Sequence, residues 1–331
     1  MANRLRSVAL YEGYIEALES ATTSDFPNYI ALKQRQILLD AFIGKFNDNN
    51  WRKIFRKRSL ADFEEYTSMR LGESDDLEPV LQGGDYKDSS INELSGPKIR
   101  LYTFGRTYSI HRYMILADDM NKIREQPQRF GRAASRTFLK RAWSMVESNP
   151  VCYDGTQLFH SSRGNLGSTA LTANEAGMVA LEAAQYAAYE NAKDDRGVVL
   201  QIMPKFLVVP RKLAPVAKAL RDDETLPNAA GTLQVANRMR GEFEVIVEDF
   251  LTDVTDWYLL PDPNEMPVFD VGFLNGKETP DLLLADPASA LIMGGNDPYN
   301  FEFDELKYKV RQDYGFAPAE WRATYKSVVT G

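Results

Sequence analysis

Ile99-Arg100-Leu101-Tyr102-Thr103-Phe104-Gly105-Arg106-Thr107-Tyr108-Ser109-Ile110 is the stretch on which the fold turns. Its hydrophobic period is close to two, which predicts a strand. Working back from it, Ser95-Gly96-Pro97 and Gly83-Gly84 punctuate the chain as turns. Around them lies a polar, acidic stretch with Glu73, Asp75, Asp76, Glu78, Asp85 and Asp88. Residues 59–117 therefore read as a long two-stranded excursion with few core residues of its own. A ribbon of that kind is barely stable in water. It must lie on something else, and the expected support is another subunit.

On the N-terminal side, residues 1–58 read as an arm. Asp25-Phe26-Pro27-Asn28 signals a helix start. Ile30, Leu38, Phe42 and Phe46 then recur at mostly helical spacing, and Asn47-Asp48-Asn49-Asn50 ends the helix. The segment Trp51–Arg58 that follows carries five basic residues in eight: Arg52, Lys53, Arg56, Lys57 and Arg58.

On the C-terminal side, residues 118–148 predict helix. Asp118-Asp119 open a short one, and Pro127 introduces a longer one whose apolar face is Phe130, Ala134, Phe138, Ala142 and Met145. Asn149-Pro150 stops it. Residues 151–171 form a loop rich in glycine, serine and asparagine. An Ala-rich helix runs from Asn174 to Lys193. Phe206–Val209, Phe243–Val247 and Trp257–Leu260 predict core strands, with a helix over Leu213–Leu220. The tail alternates as Phe301–Asp304 and Leu306–Arg311, a pattern for strands with one buried face. No repeat and no regular βαβ alternation is visible, so the class is α+β.

Composition narrows the chemistry. The 331 residues include one Cys and two His, with a net charge of −8. One Cys cannot form an internal disulfide, and these residues cannot build a Cys- or His-rich zinc site. Apolar runs stay far short of the roughly 18 residues of a membrane span. Met1-Ala2-Asn3-Arg4 lacks a signal-peptide core. The expectation is a soluble cytoplasmic chain with no membrane contact. There is no nucleophile elbow, phosphate loop, dinucleotide fingerprint or His-Glu-x-x-His. No catalytic site, cofactor or metal is expected.

Single residues favour structural roles. His160 lies beside Ser161-Ser162 and near Asp154, which suits a base–nucleophile pair or a locally bonded loop histidine. The second account is favoured, because adjacent residues rarely supply a positioned triad. His111 and Cys152 are likewise read as structural. Asp118-Asp119 fit helix capping better than metal ligation. From Lys122 to Arg141 there are seven basic residues against one acid, Glu125. That helix is a solvated face, a dock for a neighbour's acidic ribbon, or a local nucleic-acid patch.

These segments resemble the major capsid (head) proteins of Mu-like tailed phages and prophages. The likeness is carried by Tyr102–Ile110 with Arg112, Ile115 and Asp118-Asp119. It continues through Asn149-Pro150, Tyr153–His160, Gly164-Asn165-Leu166, Pro204–Pro210, Trp257-Tyr258-Leu259, Arg311–Gly315 and Trp321-Arg322. It covers roughly residues 60–326. The family is similar to the capsid fold named after phage Hong Kong 97. The resemblance implies an N-terminal arm at 1–58, then an E-loop (about 67–108) and P-domain with a spine helix (about 128–147) within 59–171. An A-domain at 172–270 and a return to the P-domain at 271–331 complete it.

The resemblance also implies a function: a structural subunit that forms hexamers, pentamers and an icosahedral shell around non-specifically held double-stranded DNA. Scaffold, head protease and portal are the implied partners, and assembly is expected in the bacterial host cytoplasm. Glu73, Asp75, Asp76 and Glu78 are the expected acidic intersubunit residues. Arg52, Lys53, Arg56, Lys57, Arg58, Arg132, Arg136, Lys140 and Arg141 are the expected intersubunit or lumen-facing cations. The alternatives are an encapsulin-type compartment on the same fold and, from another class, a soluble hydrolase using His160.

Overall fold

A computed structural model describes residues 26–47, 50–71, 93–111, 113, 120–194, 197–228, 230–285, 290–292, 295–297 and 305–329. In chain order the main elements are α1 (Phe26–Phe46), β1 (Phe55–Leu60), β2 (Tyr66–Leu71), β3 (Glu93–Ile99), β4 (Tyr102–His111) and α2 (Met120–Glu147). There follow β5 (Leu166–Gly167), α3 (Glu175–Glu190), β6 (Phe206–Pro210), α4 (Ala214–Asp222), β7 (Thr225–Pro227) and β8 (Gln234–Ala236). The chain continues with β9 (Glu244–Glu248), β10 (Trp257–Leu260), β11 (Phe269–Leu274) and β12 (Asp281–Leu284). It closes with β13 (Ala290–Ile292), β14 (Gly295–Asp297), β15 (Glu305–Pro318) and β16 (Tyr325–Ser327). The described residues divide into two compact units. One draws on the described residues within 1–48, 103–137 and 278–313, the other on those within 49–102, 138–277 and 314–331.

The first unit is held by a small core of Leu38, Tyr108, Ile110, Leu306, Tyr308 and Val310. The Tyr108 ring stacks between Phe130 and Tyr308 at 4.7 and 5.1 Å. Its hydroxyl donates to Gln34 Oε1 at 2.8 Å, which meets the need of a buried phenol for a partner. β12 pairs antiparallel with β15 from Asp281↔Arg311 to Leu284↔Tyr308. Gly131 on α2 meets the Leu38 carbonyl so closely that a Cβ would collide with it, so α1 and α2 touch backbone to backbone.

The second unit contains a five-stranded sheet in the order β5-β16-β10-β6-β9. β6 and β10 are buried along their whole length, as strands covered on both faces should be. Leu207, Val209, Trp257 and Leu259 point to one side. There they pack with Met178, Leu181 and Ala184 of α3 and with Ala217 and Leu220 of α4. Asn174 starts α3 by accepting from the Gly177 N–H at 3.1 Å.

In the same unit β1 runs parallel to β11, from Phe55↔Phe269 to Leu60↔Leu274. β11 pairs antiparallel with the Tyr314–Pro318 end of β15. Over these strands Phe138 meets Trp51 at 5.0 Å, Tyr314 at 5.0 Å, Phe316 at 5.3 Å and Phe273 at 5.7 Å. Edge-to-face and stacked ring pairs add about 0.5–1.5 kcal/mol each beyond their buried area.

Three expectations need correction. First, α2 is one helix from Met120 to Glu147, with Pro127 inside it. Proline costs a hydrogen bond and crowds the previous turn, but Pro127 is buried, and its packing outweighs that cost. Second, Ser95-Gly96-Pro97 is not a turn. It lies in β3, where Gly96 and Pro97 fall between the pairs Thr67↔Lys98 and Met69↔Ser95. Two residues opposite the single Ser68 make a bulge, one of the places in a strand that tolerate a residue without an N–H. Third, the strand expected over Ile99–Ile110 is broken at Arg100-Leu101. Ile99 and Leu101 are both buried, packed with Leu60 and Ala317, and Arg100 between them is exposed, so the alternation persists while the strand pairing stops. The expected strand Phe301–Asp304 and the capping pair Asp118-Asp119 lie outside the described residues.

Phe138→Ala should lower unfolding free energy by about 3–5 kcal/mol in a denaturant titration, the usual cost of an aromatic core truncation. A loss below about 1 kcal/mol would contradict this account of the core.

Candidate functional site

The basic segment after α1 is built into the second unit from the inside. Trp51, Ile54 and Phe55 are buried. Strand periodicity sets Arg56 and Arg58 on one face of β1, and the register puts Asp270 opposite Arg56. Arg56 donates Nε and Nη2 to the two Asp270 oxygens at 2.8 and 2.9 Å. Arg58 Nε donates to Oδ2 at 2.6 Å, and its Nη2 reaches Ser68 Oγ at 3.2 Å. The Asp270 side chain is 2% exposed. A carboxylate so buried needs such charge-assisted bonds. One carboxylate facing two guanidiniums leaves a surplus positive charge at this edge. Lys53 pairs with Glu244, and Arg52 lies over the Trp51 ring at 4.9 Å. Lys57 is exposed.

β2 and β3 form a ribbon paired, among the described residues, only with each other. Its foot is tucked in through Gly96, Pro97 and Ile99. Next to that foot Phe63, Tyr66 and Tyr102 are exposed, Tyr66 by 51%. Arg100 lies 6.0 Å from the Tyr102 ring. Lys98 and Glu65 make an exposed pair at 2.9 Å. Glu73, Asp75, Asp76 and Glu78 lie outside the described residues. Arg132, Arg136 and Lys140 follow at steps of four along α2 and are exposed, as is Arg141.

The loop 149–167 is more ordered than its composition suggests. His160 Nδ1 lies 2.7 Å from Ser162 Oγ and accepts from the Ser162 N–H at 3.2 Å. Asp154 does not orient His160. Both its oxygens accept from Arg163 Nη2, at 2.6 and 2.7 Å. The base, hydroxyl and carboxylate considered from sequence are thus not brought together as a triad. Arg163 is buried and stacks 4.5 Å over Trp321. Arg322 pairs with Glu320 at 3.0 Å. Asn165, fully buried, accepts from the His160 N–H and donates to the Leu158 carbonyl. Cys152 is buried, and that burial pushes its thiol up to about 12. A thiol held there carries almost no thiolate near neutral pH. His111 lies 3.9 Å from Glu305.

Sequence reasoning missed Asp270 and the Arg163–Trp321 stack. A signal for the first was present: Asp270 is the one charge in Phe269-Asp270-Val271-Gly272-Phe273, and a buried acid there demands a cation. The second joins residues more than 150 positions apart, with no local pattern. Among the described residues no group of three or more His, Cys, Asp or Glu is placed to hold a metal ion. Nor is any helix among them long and apolar enough to cross a membrane.

The chain belongs to the phage capsid protein family, whose model matches residues 96–327. Among solved structures, the capsid of Ralstonia phage GP4 matches with a TM-score of 0.51 at 9% identity, over 84% of this chain and 87% of that one. A chain from Mycobacterium phage Adephagia matches with a TM-score of 0.48 at 12% identity, over 89% and 90% of the two chains. The procapsid of bacteriophage JBD30 gives 0.46 at 14% identity, over 94% and 77%. No curated protein matches the sequence. The fold is the expected Hong Kong 97-type capsid fold, and the chain is a structural protein of the virion, a major capsid subunit that assembles with its own copies. The family match does not favour the encapsulin alternative.

Asp270→Ala should cost about 3 kcal/mol, the low end for breaking a buried ion pair, because both arginines keep some contact with water. Arg56→Ala should cost less, since Arg58 still holds the carboxylate. Equal stability of Asp270→Ala and the parent in urea titration would contradict this.

Proposed function

We propose that this subunit forms hexamers and pentamers and closes an icosahedral head around double-stranded DNA, held non-specifically. The observation that carries the proposal is the ribbon of β2 and β3, with exposed Phe63, Tyr66 and Tyr102 at its foot. Beyond its buried foot, a two-stranded ribbon with one partner strand and aromatic surface in water gains further burial on another body. In this reading residues of about 67–108 are an E-loop lying across the adjacent subunit. Residues 1–58 are the N-terminal arm, about 128–147 the spine helix of a P-domain within 59–171, 172–270 the A-domain, and 271–331 the return to the P-domain.

The acidic stretch Glu73, Asp75, Asp76 and Glu78 then meets cations of a neighbour. Arg132, Arg136, Lys140 and Arg141 are exposed along α2 and suit that role, or contact with packaged DNA. Arg56 and Arg58 give one net positive charge with Asp270, and with Arg52, Lys53 and Lys57 they are the second group of basic residues in this reading, although Asp270 and Glu244 already hold Arg56, Arg58 and Lys53 within the subunit. Each exposed pair is worth about 0–1 kcal/mol, but repetition over a shell sets register. Scaffold, head protease and portal proteins are the further partners in this reading, with assembly in the bacterial host cytoplasm.

The full chain, expressed alone and viewed by negative-stain microscopy, should give closed shells or hexamers. The triple variant Glu73→Lys, Asp75→Lys, Asp76→Lys should give folded monomer and no shells. A strictly monodisperse wild-type monomer under all conditions would contradict the proposal. Wild-type-like shells from the triple variant would remove the acidic stretch from it.

A further inference from the structure

The second unit presents two helix surfaces that its own fold does not use. α3 buries Gly177, Met178, Leu181, Ala184 and Ala188. On its opposite side Ala176, Val179, Ala183 and Tyr186 are exposed, at steps of three and four. Tyr186 is 63% exposed and Val179 48%. A helix side facing water normally carries charge. Here the centre of that side is apolar, and charge is confined to Glu175, Glu182 and Glu190, with no cation in the helix. A continuous apolar seam of this spacing is what a helix offers to a second body.

The other surface carries exposed lysines. Arg211, Lys212, Lys218 and Arg221 stand against the single acid Asp222 in the stretch from Arg211 through α4. Part of this charge is used inside the unit. Arg211 holds Asp249 at 2.6 Å, Arg221 holds Asp222 at 2.6 Å, and Glu182 holds Arg238 at 2.9 Å. The charges outside those pairs are Glu175 and Glu190 on α3, and Lys212 and Lys218 beside and on α4. Both lysines and Glu190 are exposed.

We propose that the outward face of α3, through Val179 and Tyr186 with Glu175 and Glu190, docks on the Lys212 and Lys218 surface of a second copy of this chain. The inference rests on the assembly reading above and names one of its contacts. Charge complementarity selects the occupant. Two α3 faces brought together would set acid against acid, which opposes self-pairing. An α3 face against an α4 surface sets acid against lysine. Both helices are fixed on one face of the same sheet, α3 over β16 and β10, α4 over β6 and β9. Each copy therefore carries both halves of the contact in a fixed relation. Unlike halves on one rigid body make a head-to-tail contact, the kind that generates a ring when its rotation closes.

The test uses charge reversal and rescue in the full chain. Assembly is read by sedimentation velocity and negative-stain microscopy beside wild type. Glu175→Lys with Glu190→Lys should cut the assembled fraction about tenfold, and Lys212→Glu with Lys218→Glu should do the same. All four changes together should restore assembly to near the wild-type level. Circular dichroism checks folding. If a reversal variant loses its helix signal, Lys212→Gln with Lys218→Gln replaces it and should show the same loss. Wild-type-like assembly from either reversal pair would overturn the contact while leaving the assembly reading intact. So would loss without rescue in the fourfold variant, or dimers insensitive to the lysines. A wild-type chain that never assembles would overturn both.

Discussion

Phe138 is the point on which the second unit depends. Its ring touches Trp51, Phe273, Tyr314 and Phe316, residues contributed by three distant stretches of chain. No local propensity brings these together. Once they are packed, the positions of β1, β11 and the end of β15 follow, because each carries one of the rings or sits beside one. Asp270 then has to be neutral in effect, since β11 is buried on both sides of it. Arg56 and Arg58 supply that neutrality, which is why a strongly basic segment can belong to a core.

The same constraint separates charges that build the subunit from those left to work between subunits. Arg56, Arg58 and Arg163 are committed to Asp270 and Asp154. Arg132, Arg136 and Lys140 face water from α2. Burial decides the difference. A guanidinium that reaches a buried carboxylate is held by charge-assisted bonds, while an exposed one remains available at little cost. The loop 149–167 follows the same rule. Its polar side chains are consumed in fixing one another, with Asn165 at the centre, and Cys152 beneath them is kept in its thiol form.

Much of this was legible in the sequence, for physical reasons that differ by element. α1, α3, β6, β9 and β10 have periodicities that survive folding, so their positions could be read within a few residues. The family resemblance added the fold class, which periodicity alone left at α+β. Pro127 and the Ser95-Gly96-Pro97 triplet misled, because proline marks a break only where nothing buries it or a bulge does not absorb it. The pairing of Arg56 and Arg58 with Asp270 spans more than 200 residues and has no local signature. The net charge of −8 hid it too, since a sum over the chain does not say which charges meet. The acidic stretch Glu73–Glu78 was legible as a charge pattern, and its role rests on that pattern and on the family.

The central claim is that the ribbon of β2 and β3 takes its stability from a neighbouring copy. Hydrogen exchange read at Tyr66–Leu71 and Glu93–Ile99, in unassembled subunits and in closed shells, tests it most directly. Backbone hydrogen bonds of a marginal ribbon open readily in isolation and slow sharply when covered. The account predicts exchange in these strands slowed by about a hundredfold on assembly, against little change in the buried β6 and β10. Equal protection of the ribbon in both states would contradict it.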